Sequence, residues 1–189
     1  MAQKDLQRRK KKRWFTILST SYFNNTEIGQ TTVAESSSLI GKNVCISLMN
    51  LTQDIKAQNT KITFKIKEVK DEKALTELVK YEIVPSSLKR MVHKDKEKID
   101  DSFKLKTKDN IDIKIKPFLV TKSSTKRSVL TSLRKKTIEL LTNSIKNTTY
   151  EGVLENIIRF KIQSTLRKEL TKVYPLSHFH IRKLEKLSS

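Results

Sequence analysis

The chain has 189 residues, 36% of them apolar and 32% charged, and its 40 lysines and arginines outnumber 20 aspartates and glutamates for a formal charge of +20. That length allows one domain of ordinary size with a helical extension, and the low apolar fraction allows a modest core. So much like charge repels itself and far exceeds what solubility needs, which excludes an ordinary solvated basic face and points to a polyanionic partner; phosphate backbones are the commonest, because neutralising them releases condensed counterions. No apolar run approaches the roughly 20 residues of a membrane span, and Trp14 to Leu18 is too short for the apolar region of a signal peptide, so no membrane partner is expected and the chain reads as cytoplasmic. Cys45 is the only cysteine, so no intrachain disulfide can form. Within Val44-Cys45-Ile46 its thiol is expected to be buried and inert.

Residues 1–13 carry seven basic side chains and one acid. Such a block stays disordered until it meets counter-charge, and is expected to be an RNA-seeking arm. Trp14 to Ser19 reads as a strand. A polar turn follows at Asn24-Asn25 and Gly29, and the Thr- and Ser-rich residues 30–38 read as loop. Val44 to Leu48 reads as a second strand. Ile62, Phe64 and Ile66 alternate with polar residues, as do Val79, Tyr81 and Ile83, giving strands with one buried face. After Pro85, Ser86 is placed to cap a short helix bearing Leu88, Met91 and Val92. Phe103 and Leu105, a turn at Lys108-Asp109-Asn110, and Ile111, Ile113 and Ile115 form the clearest hairpin in the chain. Pro117 marks an edge or a break before Phe118-Leu119-Val120.

The pattern changes near Ser123. Val129, Leu130, Leu133, Leu140, Leu141 and Ile145 form a helical stripe, interrupted at Asn143 to Thr149. A second stripe runs through Val153, Leu154, Ile157, Ile158, Ile162, Leu166 and Leu170, and alternating Phe179 and Ile181 suggest a last strand. Strands first and helices later make an α+β plan: a β-rich, mainly antiparallel N-terminal part, open or barrel-like, with two or three helices packed beside it. The expected divisions are the arm at 1–13, the β-rich part at 14–122 and the helical part with its final strand at 123–189, a single domain overall.

No catalytic or cofactor motif emerges. With three glycines in the chain, neither a phosphate loop nor a dinucleotide fingerprint can be assembled, and no nucleophile elbow exists. His178 and His180 would share a strand face and could ligate a metal, but no third ligand is indicated; two imidazoles on an outer face are the plainer reading. Asp100 and Asp101 could serve a nuclease holding Mg²⁺, yet neighbouring strand residues point to opposite faces, and ion pairing with lysines, or turn acceptance at Asp109, suits them better. The positive finding is four basic clusters. Arg8, Arg9, Lys10, Lys11, Lys12 and Arg13 end the arm. Lys89 and Arg90 begin a second cluster that Asp95 and Glu97 dilute. Lys122, Lys126, Arg127, Arg134, Lys135 and Lys136 form a third with no acid among them. Arg182, Lys183 and Lys186 form a fourth. Lysine dominance favours phosphate and shape contacts over base reading. Trp14, just after the arm, is a candidate for stacking on a base, with a core role as the alternative.

In order, these residues resemble the archaeal and eukaryotic small-subunit ribosomal protein family S-three-Ae, also called e-S-one. The matches are Trp14-Phe15; Phe23-Asn24 with Glu27-Ile28-Gly29 and Thr31; Leu39-Ile40-Gly41-Lys42; Phe64-Lys65-Ile66-Lys67-Glu68-Val69; Lys116-Pro117 with Thr121; Lys126-Arg127; Tyr174-Pro175-Leu176; and Ile181-Arg182-Lys183. The chain departs from the family at Leu51-Thr52-Gln53-Asp54, which lacks a glycine, at Asp109-Asn110, and at His93 to Lys98, where an Arg-rich run is usual. The resemblance implies a structural, non-enzymatic, cofactor-free constituent of the small subunit. It implies rRNA binding on the platform near the 3′ end of that rRNA and the mRNA exit, neighbouring platform proteins and mRNA as partners, and no homo-oligomer. An extraribosomal RNA-binding or RNA-chaperone protein is the alternative.

Overall fold

The computed structural model describes residues 11–187. The chain forms two compact units, the first drawn from residues up to Gln58 and from Ile62–Val79, the second from Asn59–Lys61 and from Lys80 onward.

The first unit holds β1 (Arg13–Leu18), β2 (Glu27–Val33), β3 (Asn43–Ser47), a short α1 (Leu48–Thr52), and most of β4 (Thr60–Lys70) and β5 (Lys73–Ile83). β1 pairs antiparallel with β2, from Arg13 opposite Val33 to Leu18 opposite Glu27, and parallel with the start of β5 at Thr16 opposite Lys73. Inward-facing Phe15, Ile17, Leu39, Ile66 and Ala74 form its core, flanked by Ile28, Val33, Val44 and Val69. The Thr-rich stretch expected to be loop is strand as far as Val33: Thr31 and Val33 turn partly inward while Gln30 and Thr32 face out. β-branched threonine fits a pleated, half-buried surface as well as it fits a loop, so composition alone misleads there. Cys45 is exposed, against the expectation of burial. The Val44-Cys45-Ile46 run lies on one strand, where successive side chains face opposite ways, so its two apolar neighbours turn partly inward and the thiol faces out.

The second unit begins with the ends of β4 and β5 and continues through α2 (Pro85–Met91), β6 (Lys98–Asp100), β7 (Phe103–Lys106), β8 (Asp112–Thr121), α3 (Arg127–Lys146), α4 (Tyr150–Ile158), α5 (Lys161–Thr171) and β9 (Leu176–Lys186). Pro85 itself occupies the first turn of α2, where its missing N–H is no loss, so Ser86 lies inside the helix and is not its cap. β8 and β9 pair antiparallel from Ile113 opposite Lys186 to Thr121 opposite Leu176. β9 continues to the end of β5, and β6 and β7 share the other edge of β8. Pro117 therefore lies inside an interior strand, which sequence reasoning disfavours. The register shifts between Lys116 and Pro117, and a bulge of this kind is where a sheet tolerates a residue without an N–H.

α5 packs on β9, α3 on α5 and β7, and α4 on α5. Leu133, Leu141 and Ile145 of α3, Val153 and Ile157 of α4, and Leu166 and Leu170 of α5 are buried, as their spacing predicts. The second stripe is two helices, not one. Phe160 takes a left-handed conformation, φ 56°, between α4 and α5. The buried Gln163 side chain donates to the Ile157 carbonyl at 3.0 Å, adding to the Phe160 N–H that the same carbonyl accepts and tying α5 to the end of α4. Asp109 is not the acceptor within its turn, where Thr107 takes the Asn110 and Ile111 N–H groups; its carboxylate instead accepts the Tyr150 N–H at 3.0 Å, so the β7–β8 hairpin helps cap α4.

Pairing is mostly antiparallel, the strand order β2-β1-β5-β9-β8-β6 has two unjoined ends, and the fold is mixed α+β with a sheet that is not closed into a barrel.

Gln53 ends α1 in the left-handed region, φ 56°, at the position where the chain lacks the glycine of the family pattern. A side chain there costs about 1 kcal/mol that glycine avoids. Gln53→Gly is expected to raise stability by about that amount in urea unfolding; a loss of stability would show that the side chain makes contacts outweighing the strain.

Candidate nucleic-acid interface

Leu133, Thr137, Leu141 and Ile145 of α3 point into the second unit, Arg127 and Arg134 flank that buried stripe in exposed positions, and Lys135 faces away from it into solvent. At its start the helix is built against its own electrostatics. Lys126 is the N-cap residue with no side-chain cap hydrogen bond, and the first turn contains no acid. Cations beside the positive end of a helix dipole cost stability, and lysine leaves the first N–H groups uncapped. Lys122, Lys126, Arg127 and Lys135 are exposed and have no carboxylate partner among the described residues. Charge held in so unfavourable a place, next to open N–H groups, is what an incoming phosphate would satisfy. Elsewhere on the helix the cluster is partly spent. Arg134 reaches Asp101 at 3.4 Å, and Lys136 lies near enough to Glu169 to help hold its carboxyl below the usual range, after the larger effect of Lys172.

The other predicted clusters fare differently. Arg8, Arg9 and Lys10 lie outside the described residues. Lys11, Lys12 and Arg13 are exposed, but Lys11 and Arg13 share a hollow with Glu35, Asp71 and Glu72, which tempers their charge. Trp14 is 66% exposed, so the core alternative fails and a bare indole stands beside three cations. Lys89 and Arg90 are exposed at the end of α2. Arg182 is bonded to the Asp100 carboxylate at 2.5 Å, and Lys183 to Glu185 at 2.6 Å; both are part of the sheet's own ion pairing. With Asp100 held by Arg182 and Asp101 by Arg134, the two aspartates are engaged as structural partners.

One basic surface was missed. Lys104, Lys114, Glu185 and Lys80 lie in one row across β7, β8, β9 and β5, and Lys116, Lys183 and Glu82 lie in the next. Directly opposed residues share a face. The signal was in the sequence, since these lysines alternate with the core isoleucines, but they form no run along the chain.

The sequence matches the family described as the Ribosomal S3Ae family over residues 2–189. A protein of Nanoarchaeum equitans described as "Small ribosomal subunit protein eS1" is 32% identical over 173 residues, covering 92% of this chain and 87% of that one. Proteins with the same description from Halorubrum lacusprofundi and Haloarcula marismortui are 30% and 27% identical, covering 93% and 97% of this chain and 82% and 86% of their own. These matches define a ribosomal protein, a structural constituent of the ribosome and not an enzyme. The chain belongs to the Ribosomal S3Ae family.

The histidine pair shares a face of β9, as expected, with ring centroids 6.2 Å apart and planes 20° from parallel. Among the described residues no three metal-ligating side chains converge. Burial pushes the pKa of both imidazoles down, with further lowering by His178 and Arg167 at His180, and by Arg167, Lys96 and His93 at His178. The fold therefore holds them neutral. Their contribution to stability is complete above the ordinary value near 6.5 and is lost as pH falls from there through the folded values, because the unfolded chain takes up protons first. Urea midpoints at pH 7.5 and 5.5 are expected to fall with acid, and His180→Gln to reduce that fall; an equal fall in the variant would place the acid sensitivity elsewhere.

Proposed function

We propose that the chain is a constituent of the small ribosomal subunit that binds its rRNA on the platform, near the 3′ end of that rRNA and the mRNA exit. Its neighbours there are other platform proteins and, at the exit, mRNA. The description shared by the relatives supports the subunit, and the family resemblance supports the position. The observation that carries RNA binding is the unpaired basic start of α3, with Lys122, Lys126 and Arg127 exposed around uncapped N–H groups and Lys135 exposed two turns further along the helix. Lysine point charges there suit phosphates of a folded RNA, recognised by shape and not by sequence. Lys11, Lys12 and Arg13, with whatever the preceding residues add, form a second phosphate contact. Trp14 stacks on an unpaired base beside it, an interaction that alanine substitution typically shows to be worth about 1–3 kcal/mol. Lys89 and Arg90 add a third patch, and Arg134, Lys136, Arg182 and Lys183 act mainly through the ion pairs that fix the surface.

This reading makes stability and binding move in opposite directions. Lys126→Asp supplies a proper N-cap and a favourable dipole partner, and is expected to stabilise the fold by about 1 kcal/mol. The same change removes a phosphate contact and adds repulsion. Affinity for a small-subunit rRNA fragment is expected to drop several-fold, and the slope of log affinity against log salt to fall by about 1. Unchanged affinity and slope in the stabilised variant would remove α3 from the interface.

A further inference from the structure

Within the second unit a cleft of about 350 Å³ opens between α2 and the charged face of the sheet. Ile83, Leu88, Val92 and Phe118 form its apolar wall, and Lys89, Lys98 and Lys116 stand around it. None of these three lysines has a carboxylate partner among the described residues. The two acids in the lining are already neutralised, Asp100 by Arg182 and Glu82 by Lys80. The cleft thus combines net positive charge that no carboxylate among the described residues answers with an apolar wall to which Val92 contributes a half-exposed side chain and Ile83, Leu88 and Phe118 only their edges.

We propose that this cleft receives one unpaired nucleotide of a single-stranded or bulged RNA, with its base against Leu88, Val92 and Phe118 and its phosphate among Lys89, Lys98 and Lys116. The size falls at the low end of small-ligand sites, about 300–1,000 Å³, which suits one nucleotide and shuts out a duplex. The Glu82 carboxylate, paired with Lys80 through one oxygen, decides between a nucleotide and an acidic peptide: its other oxygen can accept a hydrogen bond from an amino or imino group of a base, which an ionised carboxylate side chain cannot offer. The cleft is in this reading a divided site: cations for the phosphate and an acceptor for the base edge.

The proposal rests on the RNA-binding reading, and the test separates the two. Fluorescence anisotropy on the full chain would compare a ten-nucleotide uridine RNA, an abasic ribose-phosphate oligomer of the same length and charge, and a ten-residue glutamate peptide. The wild type is expected to bind the RNA about 10-fold tighter than the abasic oligomer, as partial burial of one base against apolar side chains implies. Lys98→Glu and, separately, Lys89→Glu on exposed α2, each with unaltered circular dichroism, are expected to abolish that preference, while Lys126→Asp lowers affinity for both oligomers and keeps the preference. Equal binding of the two oligomers by the wild type would overturn the nucleotide site and leave RNA binding standing. Binding of neither would overturn both. Peptide binding that the cleft variants abolish, with the RNA preference unmoved, would assign the cleft to an acidic protein partner and overturn the proposal.

Discussion

The pairing of β8 with β9 is the interaction on which the second unit depends. It joins a strand from the middle of the chain to the last one, from Ile113 opposite Lys186 to Thr121 opposite Leu176. One face of the ladder presents Ile115, Leu119, Phe179, Ile181 and Leu184, all buried. The other presents Lys114, Lys116, Lys183 and Glu185. Over Asp112 to Lys116 the period of two thus sorts a lysine-rich sequence into a core and a charged surface, while from Pro117 to Thr121 both faces of β8 are buried. Until β9 docks, the apolar face of β8 lacks its partner and α5 lacks its support, so the helical half and the sheet are stabilised together.

The same sorting governs the electrostatics. A charge of +20 would be a uniform liability if it were spread evenly. Instead, part of it is neutralised locally, by Arg182 with Asp100, Arg134 with Asp101 and Lys183 with Glu185. Exposed pairs of this kind contribute little stability. Their value lies in fixing which cations remain free. Those are concentrated at the start of α3, at the end of α2 and on the rim of the cleft. Each lies beside an element whose core face is anchored, so the free charge is presented on rigid ground and little ordering entropy remains to be lost when RNA binds.

Much of this was legible in the sequence because the signals were periodic. Ile62, Phe64 and Ile66, and Ile113 and Ile115, announced strands by alternation. Leu133, Leu141 and Ile145 announced a buried helical stripe, and Lys126-Arg127 marked its basic start. What escaped had no periodic signature. The break at Phe160 involves neither glycine nor proline; its trace was a lone buried polar residue, Gln163, in an apolar stripe. Cys45 carries no such signal, because three apolar residues in a row look alike in sequence while a strand divides them between its two faces. Arg182 and Lys183 read as a free cluster because their acidic partners are distant in sequence, at Asp100, or two residues on, at Glu185. The basic sheet face was overlooked because pairing, not proximity along the chain, assembles it.

The central claim is that this basic surface exists to be neutralised by the RNA of the small subunit. Sucrose-gradient sedimentation of the tagged full chain, expressed in cells whose small subunits remain intact, tests it most directly. The account requires the wild type to travel with the small subunit at moderate salt, and a folded variant with Lys122, Lys126, Arg127 and Lys135 replaced by glutamate to shift toward the top of the gradient. Wild-type protein at the top beside intact small subunits would contradict it.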